Sequence, residues 1–78
     1  MLQHSEWQKV KVRADHLYNG EIIPLGYIDP NGKTIRIDRV ISSKMDGNYG
    51  NLSNISFYCR TVKSIIILTY TNSGWFLS

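Results

Sequence analysis

Hydrophobic positions in this chain alternate far more often than they recur at helical spacing. In "WQKVKVRADHLY", residues 7–18, Val10, Val12, Ala14 and Tyr18 fall on one side. Trp7, Lys9, Lys11, Arg13 and Asp15 fall on the other, which is the period of a half-buried strand. "EIIPLGYID" (21–29) continues the β signal. Pro24 and Gly26 within it predict an edge position or a bend, because proline has no N–H to give a ladder. "KTIRIDRVI" (33–41) begins as a third strand, with Ile35 and Ile37 facing one way and Thr34, Arg36 and Asp38 the other. The alternation then slips, since strict period two would turn Arg39 inward and Val40 out to water. A β-bulge at Asp38–Arg39 would restore Val40 to the core, leave both charges outside as a local ion pair, and supply a corner that a small barrel needs.

Further along, "ISFYCRT" (55–61) places Ile55, Phe57 and Cys59 inward and Ser56, Tyr58 and Arg60 outward. "SIIILTY" (64–70) is apolar on both faces and rich in β-branched residues, as a covered central strand would be. "WFLS" makes a short last strand. Between these runs, Asn19-Gly20 predicts a two-residue hairpin turn with φ > 0 at both positions. "DPNG" (29–32) predicts a turn with Pro30 presetting φ and Gly32 left-handed. "TNSG" (71–74) predicts another, while Val62-Lys63 must turn without a glycine and receives no type. "SSKMDGNYGNLSN" (42–54) has no periodicity and reads as one long flexible loop. The prediction is an all-β fold: about six antiparallel strands in a small barrel or strongly bent sheet, SH3-like or similar. Its core is Val10, Val12, Ile22, Leu25, Ile35, Ile37, Val40, Ile55, Phe57, Ile66 and Leu68.

Composition narrows this picture. Seventy-eight residues, 42% hydrophobic and 19% charged, make one globular domain over 1–78, with residues 1–5 expected to fray. Cys59 is the sole cysteine, so no intrachain disulfide or thiolate metal cluster can form. The longest apolar run, Ile65 to Leu68, is far too short to cross a bilayer, and no apolar run follows the N-terminal charges as in a secretory signal. A soluble, cytoplasmic protein is expected. Nine bases against six acids give a net charge of +3, which allows a polyanionic partner without demanding one.

The run "GEIIPLGYIDPNGKTIRIDRVI", then "FYCRT" and a terminal "GWFL", resembles a group of short bacterial proteins of roughly this length. They share a Gly-x-Ile-x-Pro strand, an Ile-Asp-Arg-Val strand and a tryptophan near the end. The resemblance covers most of the chain from Gly20 onward. It implies a compact β domain and no activity. Ser56 is a departure, standing where the pattern often carries a base before the aromatic residue.

Catalytic chemistry finds little support, and the chain is expected not to be an enzyme. Six acids lie mostly in or beside turns, and no pair is held by spacing to face one cleft. Cys59 with His16 and Asp15 would be the nearest thing to a nucleophile, base and orienting group, but Cys59 falls on the inward face. His4, His16 and Cys59 match no metal-ligand spacing, and no cofactor is implied. "KMDGNYG" lacks the alternating acids and final glutamate of a calcium loop. Two binding readings remain. In the first, Trp7, Lys9, Lys11 and Arg13 on one strand and Tyr58 and Arg60 on another form a basic, aromatic face for nucleic acid, provided the two strands are neighbours. Alternating lysines also keep an exposed edge soluble, which is the plainer account of Lys9 and Lys11. In the second, Trp75, Phe76 and Leu77 form an unprotected edge strand for a protein partner or a second copy of the chain; the plainer account is that Trp75 and Leu77 close the barrel against the first strand.

Overall fold

The computed structural model describes residues 7–49 and 52–78, so the five residues expected to fray lie outside it. The strands are β1 (Gln8–His16), β2 (Ile22–Ile28), β3 (Thr34–Arg36), β4 (Arg39–Tyr49), β5 (Leu52–Arg60), β6 (Ile65–Thr71) and β7 (Gly74–Leu77). All pairings are antiparallel, in the order β3-β2-β1-β7-β6-β5-β4. The described residues contain no helix. The sheet curls into a half-barrel, as the alternating pattern predicts.

The stretch where the alternation slips is the seam of this half-barrel. Ile37 donates its N–H to the carbonyl of Leu25 on β2 at 2.9 Å, and Asp38 donates to the carbonyl of Arg60 on β5 at 2.7 Å. Two consecutive amides therefore bond to opposite ends of the sheet. β3 and β4 are one run of chain that changes partner at this step. Ile37 is buried, Asp38 and Arg39 are exposed, and Val40 packs against the core. The register irregularity falls between Val40 and Ser42, making Ile41 the extra residue rather than Asp38–Arg39. No ion pair joins Asp38 to Arg39 among the described contacts.

A second bulge sits across the seam. Arg13 pairs with Gly26 and Ala14 with Pro24, leaving Leu25 as the extra residue of β2. An extra residue rotates the strand's alternation by one step. Leu25, predicted in the core, is accordingly exposed at 39%, and Tyr27 takes the inward place at 7%. Pro24 is fully buried, and the bend accounts for it better than an edge position would, since β2 lies between β3 and β1.

The other ten predicted core residues do face the core. Val10, Ile37, Phe57 and Leu68 are buried, and Val12, Ile22, Ile35, Val40, Ile55 and Ile66 pack against them. Buried Cys59 joins them, as its inward alternation predicts. So does an aromatic layer: Trp75 lies 5.6 Å from Phe57 and 4.9 Å from Tyr70 between ring centroids.

Three local expectations change. The Asn19-Gly20 turn is a three-residue loop, Tyr18 to Gly20, in which Leu17 donates to the Glu21 carbonyl and only Gly20 has positive φ, +95°. That is a type I turn completed by one left-handed residue, and it projects Tyr18 into solvent instead of onto the core face. Val62-Lys63 turns without glycine because the Thr61 hydroxyl accepts from the N–H groups of Lys63 and Ser64 at 3.2 Å each. Of the predicted loop 42–54, residues 42–49 and 52–54 are strand instead: Ser42 pairs with Tyr58, Ser43 with Phe57, Lys44 with Ser56 and Met45 with Ile55, and pairing continues to Tyr49–Leu52. Ladder bonds are made by backbone, so a Ser-, Asn- and Gly-rich segment can pair without showing an apolar pattern.

Because the seam bonds join both ends of the sheet, the Ile37 and Asp38 amides should exchange with solvent as slowly as the core strands in native-state hydrogen exchange. Fast exchange at either would mean the half-barrel opens there independently. Trp75→Ala should lower the unfolding free energy by roughly 3 kcal/mol. A denaturant titration showing undiminished stability would place the ring outside the core.

Candidate functional site

The basic and aromatic residues singled out in the sequence do not form the face expected of them. β1 and β5 are separated by β7 and β6, so Tyr58 and Arg60 are three strand spacings, about 14 Å, from Lys9, Lys11 and Arg13 across the sheet. Lys9 sits in the outward row with Phe76, and its side-chain stem covers Gly74. Trp7 is half-buried and contacts the Phe76 ring at 6.1 Å between centroids.

Register brings a different set together. In the outward row, Arg13 pairs with Gly26 and Gly26 with Arg36; in the next, Lys11 pairs with Ile28 and Ile28 with Thr34. The missing side chain at Gly26 leaves a depression between two guanidinium-bearing strands. The result is a groove of about 570 Å³ across β1, β2 and β3, lined by Lys11, Arg13, Leu25, Gly26, Ile28 and Arg36 among others. Among the described residues no carboxylate lines it. Leu25 and Ile28, at 39% and 40% exposure, make its apolar walls. Gly26 suits this place: a Cβ there would stand 3.1 Å from the Ile35 carbonyl oxygen, a tight approach, and would start to fill the groove. Arg36 was visible in the sequence as an outward base. What linked it to Arg13 was the pairing of β2 with both neighbours, which no local pattern reports.

Around the seam the basic track continues. Arg39 pairs directly with Arg60, and both are exposed. Like charges in directly opposed positions repel. Arg39 follows Arg36 by only three residue steps, at most about 11 Å of extended chain. Closure therefore places Arg60 beyond Arg36, on the far side of the seam, rather than beside β1. Asp38 lies between them on the chain and lines a smaller groove with Arg60 and Lys63.

The alternative interface fails as an edge. β7 is paired on both sides, with β1 and with β6, and Trp75, Phe76 and Leu77 are each partly buried. The terminal strands of the sheet are β3 and β4. The short chain end is central because the curl carries β1 back to it.

Cys59 is wholly inaccessible, and burial pushes its thiol up to about 11. Burial likewise raises the Tyr27 hydroxyl, with Asp29 and Cys59 adding to it. A thiol so placed is protonated at neutral pH and touches no solvent, which removes it as a nucleophile in the folded protein. Among the described residues no cluster of three or more His, Cys, Asp or Glu could hold a metal ion, and no helix is long and apolar enough to cross a membrane.

Comparison with protein-family models, with curated proteins and with solved structures finds no match. The group that the sequence resembles therefore contributes no residue roles here, and the chemistry of the grooves carries the reading.

Native protein at pH 8 should resist labelling by a small thiol reagent and react fully once denatured. Rapid labelling of the folded state would contradict the burial of Cys59. The sign on stability follows: a pKa raised from 9.0 to about 11 favours folding of the protonated form, so that contribution is intact below pH 9 and is lost between pH 9 and 11. Thermal melts should show that alkaline loss reduced in Cys59→Ala.

Proposed function

We propose that this chain is a non-catalytic binding domain whose ligand is nucleic acid. The observation that supports this most strongly is the convergence of Lys11, Arg13 and Arg36 from two strands on one groove floored by Gly26 and lined by no carboxylate among the described residues. Guanidinium groups match phosphate oxygens in geometry as well as charge. The exposed Arg39–Arg60 pair extends the same track over the seam, and a polyanion lying there would relieve its repulsion. Phosphate contacts fall to Lys11, Arg13, Arg36, Arg39 and Arg60. Lys9 sits at the outer end of the β1 row, and Tyr58 shares the outward side of β5 with Arg60. Compared with the face expected from sequence alone, this reading keeps Lys11, Arg13 and Arg60, adds Arg36 and Arg39, and moves Trp7 to the margin.

Anisotropy titrations with labelled single-stranded and duplex oligonucleotides at several salt concentrations test this. Binding should weaken steeply with salt, and the double variant Arg13→Gln/Arg36→Gln should flatten the log–log slope by about 0.7–0.9 per lost phosphate contact. Lys44→Gln, on the outward face of the β4–β5 hairpin, should change it far less. No binding of either oligonucleotide at low salt would sink the proposal.

A further inference from the structure

We infer that the ligand is single-stranded, and that one of its bases lies in the groove over Gly26. This rests on the nucleic-acid reading above and specifies its substrate class. A surface that only neutralises phosphates has no use for a depression. Here the three cations surround a cavity of about 570 Å³ whose accessible walls are the aliphatic side chains of Leu25 and Ile28. A cavity of that size is on the scale of small-molecule sites. The two apolar walls come from positions that small β domains ordinarily keep polar: Ile28 is on the solvent side of a central strand, and Leu25 is turned outward by the bulge.

A duplex cannot use such a cavity. Its base faces are stacked inside, and the surface it shows to a sheet is sugar and phosphate. Nor do the described residues contain a helix to enter a duplex groove. A single strand has unstacked bases with an apolar face, which Leu25 and Ile28 can cover, while its flanking phosphates reach Lys11 and Arg13 on the β1 side and Arg36 on the β3 side. An acidic peptide would satisfy the same cations, but its carboxylate side chains offer nothing to the aliphatic walls. Gly26 sets the depth available: any side chain there would occupy the floor.

The test uses the whole chain and four fluorescent probes of matched charge: a single-stranded DNA 12-mer, the same strand carrying three consecutive abasic sites at its centre, a hairpin duplex and a poly-glutamate peptide. The intact single strand should bind about tenfold more tightly than the abasic strand, which keeps every phosphate and loses only bases. It should also bind more tightly than the duplex or the peptide. Leu25→Ala/Ile28→Ala, both at exposed positions, should remove most of that difference while leaving the salt slope unchanged; a thermal melt confirms that the variant is folded. Equal affinity for intact and abasic strands would overturn the inference, as would tighter binding of the duplex or the peptide. Binding of nucleic acid with no base dependence leaves the broader reading standing, whereas absence of all oligonucleotide binding removes both.

Discussion

Two adjacent amides hold this molecule in its shape. Ile37 and Asp38 donate in opposite directions, one to β2 and the other to β5, and so tie the first half of the chain to the second. In a seven-stranded open sheet the terminal strands would each leave a row of unpaired backbone groups. Here one short run of chain joins both ends, although among the described residues β3 and β4 do not pair with each other. The flanking bulges at Leu25 and Ile41 belong to the same constraint, because a strand cannot change partners at a sharp corner while keeping strict register. Leu25 even supplies the carbonyl that Ile37 bonds.

The candidate site is a by-product of that closure. The bulge that lets β2 bend also turns Leu25 outward, puts Gly26 in line with Arg13 and Arg36, and sends Tyr27 inward to the core. The bulge accounts for one apolar wall and for the pairing of Gly26 with Arg13, while the β2–β3 hairpin sets Arg36 opposite Gly26. Closure also decides which bases are neighbours, bringing the Arg39–Arg60 pair within a few residues of Arg36. A change that weakened the seam would therefore disturb the groove and the stability together, even with no side chain that lines the groove altered.

Much of the fold was legible from alternation alone. Val10, Val12, Phe57, Cys59 and Leu68 face inward as their spacing requires, since a strand's side-chain period is two whatever it pairs with. Turn chemistry was legible for "DPNG", where the Asp29 side chain accepts from Asn31 and Lys33 and Gly32 is left-handed. The hairpin at 42–54 was not, because its ladder is written in backbone groups that every residue possesses. Neither was the site. Lys11 and Arg13 could be placed on an outward face, but Arg36 joins them only through a strand lying between, and Tyr58 and Arg60 are kept from them by two others.

The sequence by itself determined the all-β class, the inward set of each regular strand and the inert setting of its one cysteine, because these depend on local periodicity and turn geometry. Even the position of the corner was marked, by the broken pattern at "IDRV". Tertiary structure alone decided which strands adjoin, where the extra residues of the bulges fall, and that the chain's last strand lies in the middle of the sheet. Those choices are made by long-range pairing and by the need to close a curved sheet on itself. One residue of register moves a side chain from the core to the surface, and here it set Leu25 outside while Tyr27, two residues on, lies inside.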